Sequence, residues 1–360
     1  MRVDDKRQES VIRRIKARLK RDKLDAFLFS DGFDISYLTG FYTGGVLLFV
    51  SGGRPVVFVD RMNRTLLEKS VKGRKLEVVS GPGSAAAAFV GYVKGMKAFR
   101  IGFDPESLTV GSFGRLSAAL GKSKLVSAEG LATPRVITAA RSIKSLEEIR
   151  IMRRVARETT AIWSEAERKI SPGMTEIEIA EVVDLLVRRK GYENSFPTIA
   201  AAGKNTAYPH AVPTSKKFAS GEHVLVDFGI RHKGYCSDLT RVYYKGRINR
   251  QIEDFLGYVR LAQKAAIKQI RPGASICSTV GCAFKVFNES ELQDFNIHAL
   301  GHGVGLEVHE SPYLRDGSPE TFKKGMVVTV EPGLYKPGLG GIRIEDMVLV
   351  TEKGCEVLTR

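Results

Sequence analysis

Two aspartates interrupt an apolar stretch in the middle of the chain, and their type and spacing suggest chemistry. The segment HVLVDFGIRHKGYCSDLTR, residues 223–241, has the pattern of apolar strands and carries Asp227 and Asp238 eleven positions apart. A hairpin whose pairing is centred between His232 and Lys233 places Asp227 directly opposite Asp238. Because like charges at opposed positions destabilise a sheet, this pair predicts a positively charged partner.

A second predicted hairpin repeats the arrangement near the end of the chain. The segment VVTVEPGLYKPGLGGIRIEDMVLV, residues 327–350, turns about a glycine-rich centre, and Glu331 and Glu345 are symmetric about that centre. Four buried carboxylates raise one another's pKa, and burying each unpaired charge is costly. Arg241 and Arg343 could neutralise two of them, whereas two divalent metal ions would balance all four. The spacing therefore predicts a dinuclear site that activates water and polarises a carbonyl for hydrolysis.

A histidine cluster supplies a further candidate ligand. Three of the six histidines lie within the segment NIHALGHGVGLEVHESP, residues 296–312: His298, His302 and His309. An oxygen-rich set with one imidazole suits manganese, cobalt, iron or zinc, and the sequence does not choose among them. Three glycines in the segment are expected to let the backbone approach an ion or substrate closely: Gly301, Gly303 and Gly305. Two other histidines, His223 and His232, are interpreted as ordinary polar residues.

Two domains are expected to position these residues. Residues 1–141 alternate five short apolar runs with helical patterns, which predicts an α/β domain with a largely buried sheet. Their first helix is amphipathic, with its basic face in solvent. Near residue 142 the pattern changes, because Ser145 and Glu148 have the spacing of a capping box before a long helix. Residues 142–360 are expected to form the second domain.

A faint internal duplication runs through this second domain. One helix ends at KISPG, residues 169–173, and another ends a hundred positions later at QIRPG, residues 269–273. Each is followed by a second helical pattern and then by apolar strands that carry two of the carboxylates. We expect the two copies to be related by a pseudo-twofold axis that brings both carboxylate pairs together.

Composition narrows the class of protein. The chain has 360 residues and a net charge of +16, and its basic residues are spread without the aromatic interleaving of a nucleic-acid-binding motif. Nucleic acid is therefore a minor alternative as partner. No apolar run reaches the length of a membrane span, and the N-terminus lacks a signal-peptide pattern. Four cysteines match no zinc or disulfide spacing, which favours reduced thiols and a cytoplasmic location.

Five motifs in fixed order carry a family resemblance. The order of VDFG, SDLTR, GHGVG, VEPG and RIED resembles the pita-bread metallopeptidases, which include methionine aminopeptidase, aminopeptidase P, prolidase and creatinase. The segments DISYLTGF, NTAYPHAVP and GIRIEDMVLVTEKGCEVLT are similar to the proline-specific branch. The resemblance covers essentially the whole chain. It implies an α/β N-terminal domain followed by an α+β pita-bread catalytic domain with internal pseudo-twofold duplication.

The resemblance also implies residue roles. Asp227 would chelate one metal, Asp238 and Glu345 would bridge the two metals, and the second metal would be completed by His302 and Glu331. Glu331 would in addition act as the proton shuttle. Three histidines would line the substrate pocket, and an arginine would steady an acidic ligand: His210, His298, His309 and Arg343. The family further implies a homodimer.

The expected activity is hydrolysis of the peptide bond before proline, as in an Xaa-Pro dipeptidase. Aminopeptidase P, which takes longer peptides, is the nearest alternative, because the two share these motifs. Methionine aminopeptidase would not need the N-terminal domain, and creatinase would require a pocket for a guanidino acid. An alternative of a different class is a non-catalytic module that binds nucleic acid or protein, although the complete ligand set argues against it.

Overall fold

The computed structural model of the chain describes residues 5–41, 45–94, 96–97 and 99–360. It divides into two compact units, residues 1–141 and residues 142–360. No helix formed by the described residues is long and apolar enough to cross a lipid bilayer.

The first unit is built on one six-stranded sheet. Its strands are β1 (Ala26–Phe29), β2 (Leu47–Ser51), β3 (Val56–Val59), β4 (Glu77–Ser80), β5 (Arg100–Phe103) and β6 (Lys124–Ser127). Its helices are α1 (Asp5–Arg21), α2 (Gly32–Thr39), α3 (Arg61–Ser70), α4 (Ala85–Lys94), α5 (Val110–Ala119) and α6 (Ala132–Ser142). The strand order is β4-β3-β2-β1-β5-β6, in which β2 runs antiparallel to both neighbours while the other adjacent pairs are parallel. The predicted α/β class is confirmed.

Burial explains both what the sequence predicts in this unit and what it misses. The amphipathic α1 packs its apolar side inward through four buried residues: Val11, Ile12, Ile15 and Leu19. The five predicted strands correspond to β1–β5. The edge strand β6 is missed because none of its four residues is fully buried, so its apolar pattern is weak. Helices α2 and α6 were also not predicted. Helix α2 begins after the N-cap Asp31 and ends before Gly40, which lies in the left-handed region at φ 71°.

The second unit holds the duplicated part of the chain. Its helices are α7 (Leu146–Glu167), α8 (Glu176–Arg189), α9 (Arg250–Gln269) and α10 (Ile276–Asn288), with 3₁₀ turns at Gly203–Ala207 and Gln293–Phe295. Its strands are β7 (Glu193–Asn194), β8 (Ile199–Ala202), β9 (His223–Phe228), β10 (Ile230–His232), β11 (Tyr235–Cys236), β12 (Leu239–Tyr244), β13 (Gly301–Gly303), β14 (Glu310–Leu314), β15 (Val327–Val330), β16 (Gly333–Lys336), β17 (Gly340–Arg343), β18 (Asp346–Val350) and β19 (Cys355–Val357).

These strands form small antiparallel sheets, each backed by helices. The first half contains the sheets β12-β9-β8 and β11-β10-β7, and the second half contains β14-β13-β15-β18-β19 and the hairpin β16-β17. Residues of α7 and α8 share an apolar cluster with β8, β9 and β12, and residues of α9 and α10 share another with β15, β17 and β18. Each half therefore buries one face of its sheet under its own helix pair.

The predicted duplication is confirmed by contacts that recur in both halves. The amide of Gly173 donates to the carbonyl of Phe218 at 2.8 Å, and the amide of Gly273 donates to the carbonyl of Phe322 at 2.9 Å. Two residues after each glycine, an isolated bridge joins Thr175 to Lys217, and its counterpart joins Ser275 to Thr321. Both Pro-Gly turns thus end one helix, pair with a distant strand-like segment and begin the next helix in the same way.

The capping box before α7 is formed as predicted, and it generates a stability prediction. Ser145 Oγ accepts from the amide of Glu148 at 3.2 Å, and the amide of Ser145 donates to Glu148 Oε2 at 2.6 Å. We expect Ser145→Ala to lower the free energy of unfolding by about 1 kcal/mol, because one amide of the first turn loses its acceptor. Urea unfolding measures this loss. The exposed Ser164 on the same helix provides the control, and a loss of equal size in Ser164→Ala would contradict the assignment to the cap.

Candidate metal centre

The first hairpin differs from its predicted register. Asp227 on β9 lies opposite Thr240 on β12, so the prediction that it lies directly opposite Asp238 is wrong. The reason is a tight turn in which Lys233 and Gly234 both have positive φ, 51° and 85°, and this turn moves the centre of pairing by one residue. Asp238 precedes β12 and is two residues from Thr240, which makes it a diagonal neighbour of Asp227 on the same face. The two carboxylates therefore still converge.

The second hairpin keeps its predicted register. Val330 pairs with Asp346 at the end of one ladder, and Gly333 pairs with Arg343 at the start of the next. Both pairs are symmetric about position 338, so Glu331 and Glu345 face one another in the gap between the ladders. This symmetry is the one that the sequence predicts.

The carboxylates of both hairpins and one histidine meet in a single cluster. Potential ligand atoms lie within 4.8 Å of one another in Asp227, Asp238 and Glu345, and likewise in His302, Glu331 and Glu345. Glu345 belongs to both groups. All five side chains line one cavity of about 900 Å³ within the second unit. The residues predicted as ligands are thus brought together, with Glu345 at the junction.

Burial makes this cluster electrostatically costly without a cation. Burial raises the pKa of Asp238 well above its ordinary value, and the neighbouring Glu345 raises it further. Burial likewise raises the pKa of Glu345 well above its ordinary value, with the charge of Glu331 adding to the effect. Glu331 behaves differently: burial opposes its ionisation, but the hydrogen bond and charge of His302 outweigh burial and bring the pKa of Glu331 to about 2.

The donor set of the cluster fits divalent metal ions. Asp227 Oδ1 and Glu345 Oε1 are buried and have no hydrogen-bond partner among the described residues. Such oxygens are rare in folded proteins, and each calls for an ion or water. Four carboxylates and one imidazole are ligands that first-row divalent ions accept. These five residues could hold such ions.

His302 is oriented by its backbone. Its Nδ1 donates to the carbonyl of Gly303 at 3.0 Å, which leaves Nε2 facing the cluster at 3.0 Å from Glu331 Oε1 and 3.7 Å from Asp238 Oδ2. A carbonyl acceptor on the far nitrogen is a common way to present the near nitrogen to a metal. Because the near nitrogen must be unprotonated to ligate, metal binding would release a proton from this histidine.

One arginine enters the cluster and the other does not. Arg343 donates through Nη2 to Asp227 Oδ2 at 2.6 Å, through Nε to Thr240 Oγ1 at 3.1 Å and through Nη1 to the hydroxyl of Tyr335 at 2.7 Å. Arg241 instead donates to Asp346 Oδ1 at 2.8 Å and to the carbonyl of Glu345. Arg343 therefore pairs with Asp227 of the cluster, whereas Arg241 pairs with Asp346 and does not neutralise a carboxylate of the cluster.

Three supporting residues were missed by sequence reasoning. Thr240 donates to Glu345 Oε2 at 2.8 Å, and Thr329 donates to Glu331 Oε1 at 3.1 Å. Thr240 is two residues from Asp238, and Thr329 is two residues from Glu331. Side chains two positions apart on a strand lie on the same face, so this spacing could have indicated that both threonines lie beside the cluster. The third residue, Tyr335, connects Arg343 to a pocket histidine, and no sequence pattern predicted that connection.

The predicted pocket histidines lie around the same cavity. His298 contacts the hydroxyl of Tyr335 through Nε2 at 2.9 Å, and the ring of His309 lies edge-on to that of His302 at 4.3 Å between centroids. Burial lowers the pKa of both His298 and His309, so both are neutral near pH 7. His210 lines the cavity as well. In contrast, His223 Nε2 lies 2.9 Å from Thr206 Oγ1 and 3.0 Å from the carbonyl of Gly341.

The glycines of the histidine segment are required where other parts of the protein approach closely. A Cβ on Gly301 would overlap the carbonyl of Thr329, and a Cβ on Gly303 would overlap the carbonyl of Ser311. A Cβ on Gly305 would overlap the carboxylate of Glu310. The close approaches that a Cβ would prevent are therefore between neighbouring parts of the protein, and Gly301 also lines the cavity.

Comparisons with known proteins agree over nearly the whole chain. Residues 150–352 match the model of metallopeptidase family M24, and residues 12–143 match the creatinase/prolidase N-terminal domain. An uncharacterized peptidase of Bacillus subtilis is 32% identical over 93% of this chain and 94% of its own length. The Xaa-Pro dipeptidase structure from Bacillus anthracis superposes with a TM-score of 0.91 at 29% identity, covering 98% of both chains. The X-Pro aminopeptidase structure from Thermotoga maritima gives 0.83 at 28% identity, covering 97% of both.

The raised carboxylate pKa values generate a prediction about pH and metal. A carboxylate whose pKa is higher in the folded state stabilises the fold at low pH, and this contribution is lost as pH rises through the raised value. We therefore expect the metal-free protein to melt at a lower temperature at pH 7.5 than at pH 5.5. Glu331 does not oppose this trend, since with a pKa of about 2 it is ionised throughout this range.

A divalent ion binds the ionised ligands and should remove this loss. When the ion's free concentration is about 100 times its dissociation constant, its binding raises the free energy of unfolding by about 2.7 kcal/mol. We expect the gain in melting temperature on adding Mn²⁺ to be larger at pH 7.5 than at pH 5.5. Differential scanning calorimetry measures it, with Glu345→Gln as the variant in which the gain should shrink. An equal gain at both pH values would count against a site made of these carboxylates.

Proposed function

The chain belongs to metallopeptidase family M24 and carries a creatinase/prolidase N-terminal domain, and from this premise we propose that it hydrolyses the peptide bond that precedes proline. Within this proposal residues 1–141 are the N-terminal domain and residues 142–360 the catalytic domain. The observation that carries the proposal is the convergence of Asp227, Asp238, His302, Glu331 and Glu345 in one cavity.

We propose that these five side chains hold two divalent ions, with manganese or cobalt favoured over iron and zinc. When bound, such a pair polarises a carbonyl and lowers the pKa of water. Asp227 is held by Arg343 and Glu345 by Thr240, so their ligand oxygens are fixed before a substrate arrives. Fixed dipoles and charges of this kind lower the reorganisation needed in the transition state.

The protein's own residues supply the proton transfers. Glu331 accepts the proton of the attacking water and then passes it to the leaving nitrogen. Neutral His309 donates to the substrate carbonyl or its terminal groups, and His210 and His298 line the same pocket. Both ring nitrogens of His298 are already engaged, because Nδ1 donates to the carbonyl of Ala299 and Nε2 accepts from the hydroxyl of Tyr335. Because His298 is joined to Arg343 through Tyr335, its ring keeps a fixed orientation toward the cluster.

Proline recognition must rest on shape, since the scissile amide nitrogen of an Xaa-Pro bond carries no hydrogen to donate. The cavity has an apolar wall beside the cluster, and it consists of Phe196, Pro197, Ile199 and Val308. A pyrrolidine ring can pack against such side chains while its carbonyl reaches the polar residues. This combination supports a proline-specific peptidase over a general one.

The Xaa-Pro dipeptide is our first choice of substrate, and longer Xaa-Pro peptides are the second. The second choice has structural support because three exposed residues line the cavity beyond the cluster: Tyr208, Ile297 and Tyr313. They could contact residues that follow proline. We also propose a homodimer, from the family resemblance, and a cytoplasmic location, since all four cysteines are free thiols.

The substrate proposal is tested by hydrolysis with the protein stripped of metal and reloaded separately with manganese, cobalt and zinc. The substrates are an Xaa-Pro dipeptide, an Xaa-Pro-Yaa tripeptide and a Met-Ala tripeptide. We expect metal-dependent cleavage of the dipeptide and none of the Met-Ala peptide. Cleavage of the Xaa-Pro tripeptide with the dipeptide left intact would move the protein to the aminopeptidase class, and failure to cleave either proline peptide would refute the proposed function.

The proton-transfer role predicts a split between rate and affinity. In Glu331→Gln we expect kcat to fall by about 10² or more while KM changes little, because the lost group acts in the transition state. Exposed Glu320 in the same unit gives the matched control Glu320→Gln, which should keep full activity. Retention of kcat in Glu331→Gln, or a rise in KM without loss of kcat, would assign proton transfer to another residue.

A further inference from the structure

A second cavity lies in the first unit, far in sequence from the metal ligands. Its volume is about 730 Å³, which is within the range of small-molecule sites. It runs along one face of α4, from Ser84 to Lys94, and one face of α5, from Thr109 to Ala119. Each helix has ten residues, so the cavity is about 15 Å long. No role in peptide hydrolysis requires it.

The topology of the sheet favours ligand binding at this place. Strands β1 and β5 are adjacent and parallel, but the chain leaves β1 toward β2 on one side and leaves β5 toward β6 on the other. In open α/β sheets, ligands bind beyond the carboxyl ends of the two strands at which this reversal occurs. Ser30 follows β1 and Ser107 follows β5, and both line the cavity with their hydroxyls 2.9 Å apart.

Apolar side chains line most of the cavity, and its charged lining residues are cations. Small and branched apolar side chains of both helices form its walls, among them Ala86, Val90 and Leu116. Two cations line it, Lys94 and Arg115, and none of the described residues that line it is acidic. A ligand that matches both features has an apolar body and a negative charge.

Arg115 is exposed at the edge of the cavity, where its guanidinium can meet an anion. Its Nη2 donates to Ser112 Oγ at 3.2 Å, and its Nη1 lies 3.4 Å from where a Cβ of Gly111 would stand. The guanidinium therefore folds back over the first turn of α5, a turn that contains no acidic residue. A cation at this end of a helix is opposed by the helix dipole, and a bound carboxylate would satisfy both.

The charge of the whole unit points the same way. Residues 1–141 contain 25 Lys and Arg against 13 Asp and Glu, a balance of +12, whereas residues 142–360 contain 31 against 27. Most of the net charge of +16 thus belongs to the smaller unit. A field of this sign attracts anions from solution and raises their concentration near the surface.

We propose that the cavity between α4 and α5 binds an organic monocarboxylate with an apolar chain, whose carboxylate pairs with Arg115 and whose chain lies along the walls toward Lys94. The binding is independent of the metal centre and of the proposed peptidase activity.

The test uses isothermal titration calorimetry on the metal-loaded full-length chain, with octanoate, octanol and inorganic phosphate as probes. We expect octanoate to bind at least about tenfold more tightly than octanol, as a charge-assisted hydrogen bond implies. Arg115→Gln should weaken octanoate about tenfold or more. Arg135→Gln removes the same charge from an exposed position outside the cavity, and it should change binding less than about twofold.

A second variant and a second readout locate the site. Ala86→Phe fills the cavity without changing charge, and it should abolish octanoate binding. Hydrogen exchange should show octanoate protecting the amides of residues 84–94 and 109–119. Equal affinity for octanol and octanoate, phosphate binding as tight as octanoate binding, equal effects of Arg115→Gln and Arg135→Gln, or no octanoate binding would each overturn the proposal.

Discussion

Mutual repulsion among four buried carboxylates is the constraint on which the second unit depends. Asp238 and Glu345 are 4% and 1% exposed, and each faces another carboxylate across a few ångströms. Left uncompensated, such a cluster would destabilise any fold that contains it. The surrounding polar residues, above all Arg343, Thr240 and Thr329, fix the oxygens of the cluster without neutralising all of its charge. The residual negative charge is what a cation site requires.

The duplicated architecture brings these charges together at breaks in its ladders. Glu331 lies between β15 and β16, Glu345 between β17 and β18, and Asp238 between β11 and β12. At such breaks the backbone is released from its regular partner, and it can pair elsewhere. The amide of Glu345 donates to the carbonyl of Thr240 at 3.2 Å, which ties the second half of the unit to the first. The break between β17 and β18 thus directs the side chain of Glu345 into the cluster and lets its amide join the two halves of the unit.

Sequence reasoning succeeded where a pattern depends on local chemistry. The capping box at Ser145 and the symmetry of Glu331 and Glu345 follow from spacing alone. It failed for Asp227 and Asp238 because their register depends on the positive φ of Lys233, a conformation that the sequence KG only weakly favours. It could not find Tyr335, because the hydrogen bonds of that residue join segments whose proximity exists only in the fold. The glycines at 301 and 303 also make room for neighbouring strands, a role that the sequence does not reveal because those strands are distant along the chain.

Charge balance is the argument for the proposed pair of divalent ions over a single ion. The four carboxylates carry four negative charges, Arg343 supplies one positive charge, and His302 is neutral when its Nε2 ligates. A single divalent ion would leave the cluster with one negative charge, which would repel the electrons that gather on a carbonyl oxygen under attack. Two such ions would leave one positive charge, the sign that stabilises this oxygen. The positive charge of Arg343 therefore brings the net charge of a site with two ions to +1, which is the sign that stabilises the developing oxyanion.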